Sequence, residues 1–104
     1  MASRASIEFD FIQAKRSADS LDQLAGQLER LAEDELSTSL HNIRSHWTGR
    51  SSEAYAQKGH RLQEQIRSSA KNLRNVATDI RETAQRMYEA EMRAKQIAET
   101  RTSG

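Results

Sequence analysis

The chain is 104 residues long, with 16 Lys+Arg against 15 Asp+Glu, three His, no Cys and no Pro. That length holds one small domain, not a catalytic domain beside a regulatory one, and the missing Cys excludes disulfide frameworks and thiol catalysis. With 36% apolar and 30% charged residues, a thin all-α core is expected, because a helix burying one stripe needs fewer apolar residues than a two-sided sheet.

The first predicted element is a helix over about residues 7–45. Its apolar stripe is Ile7, Phe11, Ala14, Ala18, Leu21, Ala25, Leu28 and Ala32. The steps alternate between four and three residues, the heptad spacing of helices that pack side by side. Leu36, Leu40, Ile43 and Trp47 continue the stripe, while Leu24 and Leu31 widen it. Steps of four across Ala32, Leu36 and Leu40 form a stutter, which predicts local unwinding of a supercoil rather than a helix end.

A turn follows at about 46–50, in Trp47-Thr48-Gly49-Arg50-Ser51-Ser52. Of the four glycines, at 26, 49, 59 and 104, only Gly49 sits among turn-compatible residues. Glycine tolerates the positive φ that a helix–helix junction asks for, and the single Trp can cover the open end of the pair.

The second predicted helix spans about 51–97, with Tyr55, Gly59, Leu62, Ile66, Ser69, Leu73, Val76, Ile80, Thr83, Met87, Ala90 and Ala94 in strict four–three alternation. Thr48, Ser51 and Ser52 are its candidate N-caps; none has Glu or Gln three residues later to complete a capping box. Residues 98–104 carry no period and read as a flexible tail.

Two long amphipathic helices and so short a turn predict an antiparallel hairpin, with facing positions summing to about 97. The charges agree. Residues 1–46 hold five Lys/Arg and eight Asp/Glu, a net of −3, and residues 47–104 hold eleven and seven, a net of +4. The expected pairs are Glu33 and Asp34 with Arg61 and Arg67, Asp19 and Asp22 with Arg74, and Glu8 and Asp10 with Arg86. Residues past about 90 then lack a facing partner, so Glu91 to Glu99 should overhang with Met92 and Ile97.

A lone hairpin leaves Leu24, Leu31, Leu36 and the alanines at 54, 70, 77 and 84 only partly covered. Pairing with a second, similar hairpin into a four-helix bundle is therefore expected, as a homodimer or a heterodimer. Leu21, Leu28, Leu36, Leu40, Leu62, Ile66, Leu73 and Ile80 are the expected core of hairpin and dimer.

Other function classes find little support. No apolar run approaches the roughly 20 residues of a membrane-spanning helix, and Met1 to Ser6 carries no apolar signal-peptide stretch. Stable membrane insertion is not expected, and export would use another route. His41 and His46, five residues apart, diverge around a helix by roughly 140°, a poor start for a metal site. No Ser/His/Asp arrangement and no Gly-rich phosphate loop is present, so a noncatalytic chain without cofactor or metal is expected. The Lys/Arg residues of the second helix are interleaved with acids, unlike the concentrated stripe that nucleic acid requires.

A chain of about one hundred residues with Trp47-x-Gly49 in the turn between two long helices, without Cys, resembles the WXG family, the early-secreted-antigen-like substrates of bacterial type VII (ESX) secretion. The resemblance covers about Ile7 to Ile97. It implies a four-helix dimer, residence in the cytoplasm before export without a cleavable signal peptide, and partners that include the secretion ATPase and a larger secreted effector. It also implies a role in virulence or in competition between bacteria. The family's recognition signal has two halves. Trp47 and Gly49 match the first. The second is a Tyr followed four residues later by Asp or Glu; here Tyr88 is followed at 92 by Met, and Glu91 at i+3 shares its helix face. Tyr88 and Glu91 thus form a displaced version of the signal, or Tyr88 packs at the distal end near Phe9, Phe11, Ile12 and Met87. An alternative to the secretion substrate is a cytoplasmic helical adaptor or targeting chaperone for a larger secreted toxin.

Overall fold

The computed structural model describes residues 3–47 and 49–103. Thr48, one of the candidate caps, and Gly104 lie outside the described residues. All described residues except Ser3, Trp47 and Gly49 are helical, and none lies in a strand. The order is α1 (Arg4–Arg30), a π-helical turn (Leu31–Leu36), α2 (Ser37–His46) and α3 (Arg50–Ser103).

The ends of the helices differ from the periodic stretches. α1 begins three residues before the apolar period, because Ser3 caps it: its Oγ accepts the Ser6 N–H at 3.0 Å and its carbonyl accepts the Ile7 N–H at 2.9 Å. Such a side chain satisfies one of the orphan N–H groups of a first turn. α3 begins at Arg50, and neither Ser51 nor Ser52 is its N-cap; Ser52 Oγ instead donates to the Gly49 carbonyl at 2.8 Å. At the other end α3 continues through residues 98–103, expected as a tail. No Pro or Gly stops it before Gly104, and Thr100 Oγ1 bonds back to the Gln96 carbonyl at 2.9 Å.

The stutter at Ala32, Leu36 and Leu40 coincides with the π turn. Steps of four exceed the heptad alternation by one residue, and a π turn is where a helix absorbs one extra residue.

The chain divides into two compact units, one formed by Met1–Leu21 with Asn75–Gly104 and the other by Asp22–Arg74. In the first, Ile7, Ala18 and Ala77 are buried, Phe11 lies against Tyr88, and Arg81 Nη2 donates to Asp19 at 2.7 Å. Arg4 Nη2 donates to Glu99 at 3.1 Å and Glu91 lines a groove with Ile7 and Asp10, so these two residues meet α1 in place of the expected overhang, while Ile97 is exposed. In the second unit, Ala25, Ala32, Leu40, Ala56 and Ala70 form the buried line, and Leu40 lies against Gly59.

Phe11 faces Tyr88 and Leu40 faces Gly59, each two residues farther along α3 than the expected register. The ion pairs move accordingly. Glu33–Arg67 and Asp22–Arg74 form, but Arg74 also takes Glu29 at 2.7 Å and Asp19 goes to Arg81. Arg86 Nε turns to the Glu82 carbonyl of its own helix, not to Glu8 or Asp10.

The four–three stripe of the first half, from Ile7 on α1 through the π turn to Ile43 on α2, is buried or half-buried throughout, while Leu24 beside it is exposed. On α3 the period holds but the buried row is a neighbouring one: Ser52, Ala56, Gln63, Ala70 and Ala77, with Gly59, Ile66, Leu73 and Ile80 half-buried beside it. Ala70 and Ala77, expected to be partly covered, are buried at 1% and 0% exposure. Their small side chains let backbones approach, and close packing prefers them to the larger residues of the next row. Tyr55, Leu62, Val76 and Met87 are left exposed.

Candidate functional site

The break in the helical chain builds the most distinctive surface. α2 ends when the Trp47 N–H bonds the Ile43 carbonyl at 2.8 Å while Trp47 itself turns extended, at φ −113° and ψ 136°. Gly49 follows at φ 104°, in the left-handed region that costs L-residues with a Cβ. The extended residue carries the indole off the helix end. It is half exposed and meets the Tyr55 ring edge-on, centroids 5.5 Å apart. A shallow apolar groove between Asn42, Ile43, His46, Trp47 and Tyr55 completes this edge. Such an arrangement offers an aromatic anchor with a fixed backbone.

Behind the edge, within the same unit, lies a polar cluster. Gln63 is only 3% exposed. Its Nε2 donates to the Ala32 carbonyl at 2.7 Å and to Ser37 Oγ at 2.9 Å, and Ser37 Oγ donates to that carbonyl at 3.4 Å. Its Oε1 lies 3.0 Å from His60 Nδ1, and Arg44 Nη2 lies 3.2 Å from His60 Nε2. Both amide hydrogens of Gln63 are committed to acceptors. The pattern therefore assigns the His60 proton to Nδ1, donating to Gln63, with Nε2 accepting from Arg44.

Tyr88 and Glu91 belong to the other unit, where they line one groove with Ile7, Asp10, Phe11 and Met87. The Phe11 and Tyr88 rings are 4.7 Å apart and tilted by 34°, with Lys15 Nζ 5.4 Å from the Phe11 centroid. Tyr88 thus packs on Phe11, not on Phe9, which is exposed; the two-residue register shift moves its partner. Glu91 shares that groove, so the i+3 spacing does place the pair on one face.

Of the residues expected in the core, Leu40 is buried, Leu21, Leu28, Leu36, Ile66, Leu73 and Ile80 are half-buried, and Leu62 is exposed. Gln63 escaped sequence reasoning because it is polar. The signal that finds it is the alanine row at 70, 77 and 84: stepping back by sevens reaches Gln63 and then Ala56.

The electrostatics are those of exposed pairs. The Arg74 guanidinium, by its hydrogen bond, holds Glu29 below the ordinary carboxylate value, and Arg67 does the same for Glu33. Among the described residues no group of three His, Asp or Glu could hold a metal ion. His46 Nδ1 lies 2.9 Å from the Asn42 carbonyl of its own helix. Among the described residues, no helix is long and apolar enough to cross a membrane. No family model, curated protein or solved structure matches the chain.

Proposed function

We propose that this chain is a noncatalytic WXG-like substrate or partner of a bacterial type VII secretion system, recognised as a folded helical dimer. α1–α2 and α3 form an antiparallel hairpin in this reading, and two such hairpins make a four-helix bundle. The observation that carries it is the Trp47–Gly49 break: a half-exposed indole on extended backbone, with a left-handed glycine two residues on, in a chain whose other described residues beyond Ser3 are all helical. Recognition at this edge needs no reacting group, only a rigid aromatic anchor.

The exposed Tyr55, Leu62, Val76 and Met87 support the dimer. Tyr55, Leu62 and Val76 stand at multiples of seven, Met87 continues the row of Ile66, Leu73 and Ile80, and large apolar side chains beside an alanine seam suit a second helical pair. The Tyr88–Glu91 groove of the neighbouring subunit supplies the second half of the signal, and a secretion ATPase reads it.

The test is export. In the cell that makes this protein, removal of the membrane-anchored secretion ATPase should retain it in the cytoplasm, at undiminished intracellular level. Unchanged appearance in the medium would contradict the proposal. Purified alone, the chain should sediment at twice its 11.8 kDa mass. Folding only on coexpression with a genomic neighbour would instead favour the adaptor or targeting chaperone.

A further inference from the structure

The π turn and the buried Gln63 form one device. An inserted residue in a helix rotates everything downstream by roughly 100° unless a wide turn absorbs it. Here the wide turn is Leu31–Leu36, and its irregular bonding is visible at both ends. The Ser37 N–H bonds the Asp34 carbonyl, while the Ala32 carbonyl takes the Gln63 amide and the Ser37 hydroxyl. A carbonyl that re-entered the α-helical ladder would have no need of a side chain from α3.

We propose that Gln63 is the lock that holds this one-residue insertion in its π form, and so sets which way α2 presents Trp47. Were the turn to relax to an α-helix, α2 would rotate by roughly 100° about its axis. Leu40 would leave Gly59, and the Trp47 ring would leave Tyr55. Gln63 suits the task because one amide hydrogen goes to the turn's Ala32 carbonyl and the other to Ser37 at the start of α2, while its oxygen is tied through His60 to Arg44 on α2. Burial makes the arrangement selective, since an amide left unpaired at 3% exposure is costly. Gln63 is a positioning residue: it touches the turn, not the edge. The direction in which α2 faces is set within the chain, whether or not a secretion machine reads that edge.

The sequence supplies a direct test. Deleting Glu35, an exposed residue of the turn, turns the steps after Leu28 into four, three, four, three and four, the regular heptad alternation. The deleted chain should form a continuous α-helix, with Leu40 and Trp47 facing as before and no π carbonyl for Gln63 to hold. NMR contacts between the Trp47 and Tyr55 rings are the readout, together with amide exchange at residues 32–37. In the full chain, Gln63→Leu should abolish the ring contacts and speed exchange roughly tenfold or more. In the Glu35-deleted chain the ring contacts should persist, and Gln63→Leu should change neither readout. Unaltered contacts in the full-length Gln63→Leu variant would overturn the proposal, as would their loss on deletion of Glu35 alone. Should Gln63→Leu prevent folding, the comparison still decides: failure in the full chain alone supports the lock, and failure in both backgrounds contradicts it.

Discussion

Leu40 occupies the space in which a side chain at Gly59 would begin: its Cγ and Cδ1 lie 3.0 and 3.1 Å from the place a Cβ would take, with Cδ2 closer still. Leu40 is 6% exposed, so it has little freedom to withdraw. Gly59 therefore serves close approach rather than an unusual backbone angle. Gly59→Ala should gain about 1 kcal/mol of helix propensity and lose more to overpacking, for a net loss of about 1 kcal/mol. Leu40→Ala should cost about 2–4 kcal/mol. The double variant should lose less than the sum, because the new methyl enters the space that Leu40 vacates. Urea denaturation of the three variants measures this, and additive losses would show that the two residues do not share that space.

Gly49 is the opposite case. Nothing lies within 4 Å of a Cβ placed there, yet its φ is 104°. Any cost of substitution is thus purely backbone strain. Gly49→Ala should lower stability by about 1–2 kcal/mol, and Gly49→Asn by less, since Asn tolerates the left-handed region better. Equal losses for the two, by thermal denaturation, would show that something other than φ matters at this position.

The acid side of the pH profile follows from Glu29 and Glu33. Both are held below their ordinary value of 4.5, mainly by hydrogen bonds from Arg74 and Arg67. A carboxylate depressed in the folded state contributes stability above its unfolded pKa and loses it as pH falls through the folded value. Melting temperature should therefore fall as pH drops below about 4.5. Glu29→Gln with Glu33→Gln should flatten that fall and change little at acid extremes. Both pairs are exposed, so added salt should shrink the difference. A wild-type profile no steeper than the variant's would remove these pairs from the acid response.

Much of the first half was legible in the sequence because its stripe, from Ile7 on α1 to Ile43 on α2, is covered with the expected period. α3 was legible in period but not in phase. Hydropathy weights Tyr55, Leu62, Val76 and Met87 as inward, whereas close packing selects Ala56, Ala70 and Ala77 and leaves the larger row outside. Gly59, Ile66, Leu73 and Ile80 border both rows, which is why the period alone could not separate them. The register moved by two residues, which periodicity alone does not fix. The stutter carried real information: it marked one surplus residue, and the π turn is where the backbone stores it. Trp47 and Gly49 were legible because a lone glycine among turn residues has few other uses. Gln63 was not, since burying a polar side chain depends on partners that lie 26 and 31 residues away.

The exposed row on α3 yields a prediction about assembly. Leu62→Asp with Val76→Asp places charge on two side chains that are 45% and 46% exposed in the single chain. Helix content by circular dichroism should stay near wild type, because neither residue fills the alanine seam. The proposed dimer should dissociate, since burying an unpaired carboxylate is strongly unfavourable. Leu73→Ala, which is half-buried, should cost up to about 2–5 kcal/mol, with a loss that grows with protein concentration if the dimer completes its burial. A double-Asp variant that retains the wild-type sedimentation mass would place any self-association elsewhere.

Trp47 offers the decisive measurement, because its indole is half exposed and contacts Tyr55 rather than the alanine seam. The amount of Trp47→Ala protein in the culture medium, against the amount in the cell, should show export abolished. Helix content and sedimentation mass should remain those of the wild type. A Trp47→Ala chain exported as well as the wild type, or one that no longer folds, would contradict recognition at this edge.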